Sequence, residues 1–187
     1  MSINGTARIN GGVYEGCQHG GGYLSSTDVK IKNATFRNIE YTGNCGWGTE
    51  GESHHAPVYC GGESTNANIY FDNCQFESKA KTGSSLTSKY TNTKVYLSNC
   101  LFDNNYSYAS LRVDASCAIY IGKNVVYYAD DVLQNGDNAI FDTTTYADQE
   151  FGFETESTNY ENLIDIKTGL LAAQRTQVQI ITWEEDD

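Results

Sequence analysis

Val29-Lys30-Ile31-Lys32-Asn33-Ala34-Thr35-Phe36, Ile69-Tyr70-Phe71-Asp72-Asn73-Cys74-Gln75-Phe76 and Val95-Tyr96-Leu97-Ser98-Asn99-Cys100-Leu101-Phe102 are one pattern written three times. Each reads apolar, x, apolar, x, Asn, small, x, Phe. Alternation with period two places Val29/Ile31, Ile69/Phe71 and Val95/Leu97 on one face of a strand and their polar or tyrosine neighbours on the other. The Asn that follows tolerates left-handed backbone, so it ends the strand and turns the chain. Phe then re-enters the core.

The three asparagines are 40 and 26 residues apart. Fainter copies flank them, at Ile119-Tyr120-Ile121-Gly122-Lys123-Asn124 and at Arg8-Ile9-Asn10-Gly11-Gly12-Val13-Tyr14, each offset by one residue. A period of 23 to 26 residues, rich in strands and corners and without helix signal, predicts a stacked β-solenoid. Successive coils then pair as parallel strands about 4.8 Å apart, and like stacks on like. The expected ladders are Asn33/Asn73/Asn99, Phe36/Phe76/Phe102 and Cys74 over Cys100. The chain thus reads as an all-β parallel β-helix of about five coils over 1–129. Residues 130–187 are expected to be an acidic C-terminal segment that caps the last coil or joins it to another chain, because an open solenoid end exposes unpaired edges.

Composition agrees. Of 187 residues, 39% are apolar and 19% charged, with 18 Gly and 14 Tyr in place of the Leu, Ala, Glu and Lys of helical proteins, which excludes a helical bundle. No apolar run approaches a membrane span, and the Met1-Ser2-Ile3-Asn4-Gly5 start has no signal-peptide pattern, so neither address is expected. The net charge of −12 lies wholly in 130–187, where Lys167 and Arg175 face fourteen acidic residues. Nucleic acid and anionic membrane are therefore poor partners. Cys17, Cys45, Cys60, Cys74, Cys100 and Cys117 form no CxxC pair, and the expectation is reduced, mostly buried thiols.

The corners Asn33-Ala34-Thr35-Phe36, Asn73-Cys74-Gln75-Phe76 and Asn99-Cys100-Leu101-Phe102 resemble the Asn-Cys-x-Phe repeats of the right-handed parallel β-helix, in the pectin-lyase-like superfamily. They resemble in particular the short repeats of polymorphic outer-membrane-type adhesins and phage tail spikes. Val58-Tyr59-Cys60-Gly61-Gly62 echoes their Gly-Gly strand. The superfamily includes lyases, hydrolases, epimerases, adhesins and inert shafts, so the resemblance implies architecture and not a reaction.

Hydrolase motifs of that superfamily have lookalikes at Ser26-Thr27-Asp28, Asp130-Asp131, His19-Gly20 and Asp165-Ile166-Lys167, but in the wrong order. Asp28 and Asp130/Asp131 would be about four coils apart, roughly 20 Å, beyond the reach of two carboxylates that share one glycosidic bond. A lyase would need an acidic calcium cluster beside an arginine base, and Arg37 and Arg112 have none near them in sequence. No catalytic residue and no cofactor is expected.

The 40-residue coil carries a surplus at 43–57, with Trp47, Glu50, Glu52, His54, His55 and the single Pro. A loop on a rigid scaffold is where binding concentrates. Trp47 is the expected stacking group for a sugar ring or apolar partner, with Glu50, Glu52, His54 and His55 as hydrogen-bonding groups. The alternative is that Trp47 folds back as the loop's own core. Adjacent histidines point apart on an extended chain, so zinc ligation with Cys45 is awkward. Asp130-Asp131 and Asn135-Gly136-Asp137-Asn138 fit no calcium loop and read as turns.

These readings favour a non-catalytic structural or attachment module in a virion, such as a spike, fibre or capsid decoration, with a surface adhesin as the nearer variant and a polysaccharide lyase or hydrolase as the runner-up. Expected partners are a surface glycan or another virion protein. The apolar groups at Phe141, Phe151, Phe153, Leu163, Ile164, Leu170, Val178, Ile180 and Trp183 need a surface to bury them, which predicts a homo-oligomer, by analogy a trimer.

Overall fold

The computed structural model describes residues 2–3, 5–16, 22–24, 28–38, 58–61, 66–77, 84–88, 92–103, 109–127 and 132–154. The chain runs strand to corner to strand. It opens with β1 (Ser2–Ile3), β2 (Ala7–Asn10) and β3 (Val13–Gly16), followed by β4 (Gly22–Leu24), β5 (Asp28–Lys32) and β6 (Thr35–Asn38). Next come β7 (Val58–Cys60), β8 (Asn68–Asp72) and β9 (Gln75–Glu77), then β10 (Ser84–Ser88), β11 (Lys94–Ser98) and β12 (Leu101–Asp103). The last strands are β13 (Ala109–Asp114), β14 (Ala118–Ile121), β15 (Val132–Asn135) and β16 (Ile140–Asp142).

As far as β14, every third strand joins the same sheet. The first sheet has the order β1-β4-β7-β10-β13-β15, the second β16-β14-β11-β8-β5-β2 and the third β12-β9-β6-β3. All pairings are parallel, as in Val29↔Ile69, Ile69↔Val95 and Val95↔Ile119. The protein is therefore an all-β parallel β-solenoid. About three turns, β4–β6, β7–β9 and β10–β12, can be followed through all three sheets. Past β14 the third sheet continues as a single bridge, Leu101 to Val126, and parallel pairing in the other two sheets extends to β15 and β16, beyond residue 129. These strands belong to the compact unit Met1–Phe153. Residues 155–187, including Leu163, Ile180 and Trp183, lie outside the described residues.

The ladders follow from the repeat. Val29, Ile69, Val95 and Ile119 stack inward with no exposed surface. Asn33, Asn73, Asn99 and Asn124 take φ of 57°, 51°, 51° and 55°, the left-handed corner that asparagine tolerates. Past each corner the aromatic ring turns inward: Phe36 lies on Phe76 at 5.7 Å and Phe76 on Phe102 at 4.5 Å, both near-parallel. Tyr14 extends the stack below Phe36 at 5.1 Å. Each fully buried ring contributes on the order of 2 to 3 kcal/mol before chain entropy is counted.

Cys74 and Cys100 are buried one above the other, and Cys100 Sγ also donates to the Ser98 carbonyl at 3.1 Å. Burial, then the neighbouring Cys74 thiol, pushes the Cys100 thiol well above its ordinary range. Cys60, Cys74 and Cys100 are free thiols, and Cys117 is buried as they are. Cys17 and Cys45 lie outside the described residues.

The one-residue offset at Asn124 has a local cause. Gly122 holds the additional position, with its backbone so close to Leu97 O and Gln149 O that a Cβ would sit 2.9 and 2.6 Å from them.

Candidate functional site

On the outward face of the second sheet, register stacks Arg8, Lys30, Tyr70, Tyr96, Tyr120 and Asp142 in one column. Tyr70 and Tyr96 are 4.5 Å apart and Tyr96 and Tyr120 5.0 Å, with rings nearly parallel. Lys30 Nζ lies over the free face of Tyr70 at 5.0 Å. The signal for this ladder was in the sequence, since each tyrosine follows the first apolar residue of its repeat.

Residues 143–153 cross this column from the last strand back toward the second turn. The crossing starts at Asp142, whose carboxylate accepts from the backbone N–H groups of Thr144 and Thr145 and from both hydroxyls. These bonds, the Thr145 hydroxyl first, hold the Asp142 carboxyl far below the usual range. Tyr146 then stands edge-on to Tyr120 at 5.2 Å and Tyr96 at 5.8 Å. Gln149 O accepts the Lys123 N–H at 3.0 Å, and Glu150 Oε1 accepts from Lys123 Nζ at 2.6 Å.

The strap continues over the earlier turns. Phe151 packs tilted on Tyr96 at 5.4 Å and Tyr70 at 6.1 Å, and its N–H donates to Ser98 Oγ at 2.9 Å. Gly152 passes so close to Asp72 that a Cβ would meet Oδ2 at 2.7 Å. Lys32 Nζ donates to Phe153 O at 2.6 Å and lies over its ring at 5.0 Å. Partial burial, followed by the neighbouring tyrosines, pushes Tyr96 up to about 12. Burial raises Tyr70 and Tyr120 as well.

This geometry decides what the ladder can do. Tyr96 lies between Tyr70 and Tyr120, Tyr70 lies between Tyr96 and Lys30, and Tyr146 and Phe151 pack against the column, so the column is a seat for the strap.

Several charged groups are committed in the same way. Asp28 pairs with Arg8 at 2.6 Å and Asp114 with Arg112 at 2.8 Å. Arg37 Nη1 lies 3.7 Å from Glu15, and its Nε lies 3.4 Å from Glu77 without aiming an N–H at it, so that contact is charge attraction and not a hydrogen bond. Asp28, Arg37 and Arg112 thus serve rung-to-rung or in-strand pairing. Among the described residues no three His, Cys, Asp or Glu side chains converge on a point that could hold a metal ion.

Trp47, Glu50, Glu52, His54 and His55 lie outside the described residues, as do His19, Asp130, Asp131 and Asp165. Sequence reasoning missed the strap. Its trace was Phe151-Gly152-Phe153, two rings flanking the one residue small enough to pass Asp72. No protein-family model, curated protein or solved structure matches the chain.

Proposed function

We propose that the chain is a non-catalytic structural or attachment module of the right-handed parallel β-helix type, built into a virion as a spike, fibre or capsid decoration. The observation that carries the reading is the commitment of outward polar groups to binding one rung to the next, as in Arg8–Asp28, Glu15–Arg37–Glu77 and Asp72–Ser98, and of Lys123 to the strap through Glu150. Such cross-rung pairing favours a stiff shaft over a cleft with groups poised for proton transfer. In this reading five coils are wound, and 130–187 closes the last of them and joins it to copies of the chain, as a trimer. Right-handed winding is the general rule for parallel crossovers. A surface glycan or another virion protein is held by the 43–57 loop, with Trp47 stacking and Glu50, Glu52, His54 and His55 hydrogen-bonding.

Screening against uronate and host-surface glycans tests it. Retention of glycan without release of reducing or unsaturated ends, lost on Trp47→Ala, is the expected result; turnover of any glycan would sink the proposal. Light scattering addresses assembly separately, and a clean monomer at micromolar concentration would reduce the C-terminal segment to an intrachain cap.

A further inference from the structure

Asn135 ends β15, the last strand of the first sheet, and Gly136 turns the chain there with φ of +96°. Glycine is required at 136, because a Cβ would sit 2.9 Å from that of Ala115 and the positive φ disfavours any side chain. The fold therefore requires a glycine directly after Asn135, on an exposed corner.

A second such pair, Asn10-Gly11, shows what the edge position changes. Gly11 N–H donates to Lys32 O on the next turn at 2.8 Å, and Asn10 Oδ1 is held by Asn33 Nδ2 at 2.6 Å. Among the described residues no further strand pairs ahead of Gly136 and no acceptor takes its N–H. Asn135 Nδ2 donates to Asp114 Oδ1 at 3.1 Å. The corner asparagines Asn33, Asn73, Asn99 and Asn124 precede Ala34, Cys74, Cys100 and Val125, whose side chains crowd the following nitrogen. Asn4, which also precedes a glycine, lies outside the described residues.

We propose that Asn135-Gly136 is a self-modification site at which Asn135 deamidates. The Gly136 nitrogen gives up its proton to water or hydroxide and attacks Asn135 Cγ. The N–Cγ bond forms, the Cγ–Nδ2 bond breaks, and ammonia leaves carrying a proton returned from solvent. Water then opens the cyclic imide at either carbonyl, giving aspartate or an isoaspartyl linkage; no electrons are exchanged. The product turns the donor to Asp114 Oδ1 into a carboxylate; Arg112 Nε, 2.8 Å from the same oxygen, already pairs with Asp114 and offsets only part of the added charge, on a strand that among the described residues pairs with β13 alone. Modification therefore loosens the last described turn.

Peptide mapping of the full chain aged in mildly alkaline buffer tests this. Asn135 should convert about tenfold faster than Asn10, whose glycine nitrogen must first break its hydrogen bond. In urea-unfolded chain the two should react alike, so equal rates in the folded chain, or an intact Asn135 beside a converted Asn10, would overturn the proposal. Asn135→Gln should block conversion at this site while keeping an amide for Asp114. Asn135→Asp, which mimics the product, should unfold at lower urea than Asn135→Gln near neutral pH, with the gap closing in acid; equal midpoints would refute the loosening.

Discussion

Asn99 gives its side-chain amide to Asp72 Oδ1, at 2.8 Å, and not to Asn73, the ladder neighbour one rung below. On either side the ladder is regular, with Asn73 Nδ2 on Asn33 Oδ1 at 2.7 Å and Asn124 Nδ2 on Asn99 Oδ1 at 3.0 Å. The diversion occurs where the strap crosses. Ser98 Oγ donates to the same Asp72 oxygen at 2.6 Å and accepts the Phe151 N–H, so Asp72 fastens two rungs and the strap together.

Asp72→Ala should thus cost more than an ordinary surface substitution. It removes the acceptor of the fully buried Ser98 hydroxyl and leaves the Asn99 amide only its longer contact to Glu150 Oε1 at 3.4 Å. A loss of about 2 to 3 kcal/mol is expected in urea unfolding. A change within about 0.5 kcal/mol would mean that these bonds are replaced by solvent.

Gly122→Ala and Gly152→Ala should differ in severity. At 122 the new Cβ meets two backbone carbonyls, Gln149 O at 2.6 Å and Leu97 O at 2.9 Å, which cannot move without lifting the strap or bending β11. At 152 it meets a side-chain oxygen, which can swing at the expense of its bonds. Costs of about 2 to 3 kcal/mol and about 1 kcal/mol respectively are expected. Amide exchange over 143–153 should quicken in the first variant, and equal destabilisation would contradict the assignment.

The tyrosine column makes the strap sensitive to alkali. Tyr96 is pushed up to about 12 by burial, so the folded chain holds its phenolic proton more tightly than the unfolded chain, whose tyrosines titrate near 10. Its contribution is complete below pH about 10 and is lost as pH rises toward 12. Monitoring phenolate absorbance alongside strap exchange should show the two rising together, and Tyr96→Phe should weaken that dependence. Strap exchange that ignores phenolate formation would exclude the link.

Phe76→Ala removes the ring held between Phe36 and Phe102 and opens a cavity in the middle of the stack. A loss of about 3 to 5 kcal/mol in thermal or urea unfolding is expected. Phe102→Ala, nearer the end of the stack, should cost no more than this.

The fold was legible because each repeat writes its constraint locally: Val29/Ile31 set the buried face, Asn33 the corner and Phe36 the return. Register then follows from stacking like on like, as Phe36↔Phe76 and Phe76↔Phe102 do. The strap was not legible in this way. Its contacts join residues with no shared period, Phe151 with Ser98 and Phe153 with Lys32, and only Gly152 hints at a close crossing. Tyr70, Tyr96 and Tyr120 were visible as a row, but alternation alone cannot distinguish a row that meets solvent from one that another segment covers.

The strap also dates the molecule's assembly. Lys32 meets its carbonyl partner 121 residues later in the chain, and Ser98 meets Phe151 53 residues later, whereas neighbouring rungs need only the next repeat. During synthesis each coil can therefore settle on the one just made, but the fastening across them must wait until Phe153 has left the ribosome. A nascent solenoid halted before that point is built from nearest-neighbour contacts alone and can fray rung by rung. Arrival of the last dozen described residues turns a chain of local equilibria into one cooperative unit.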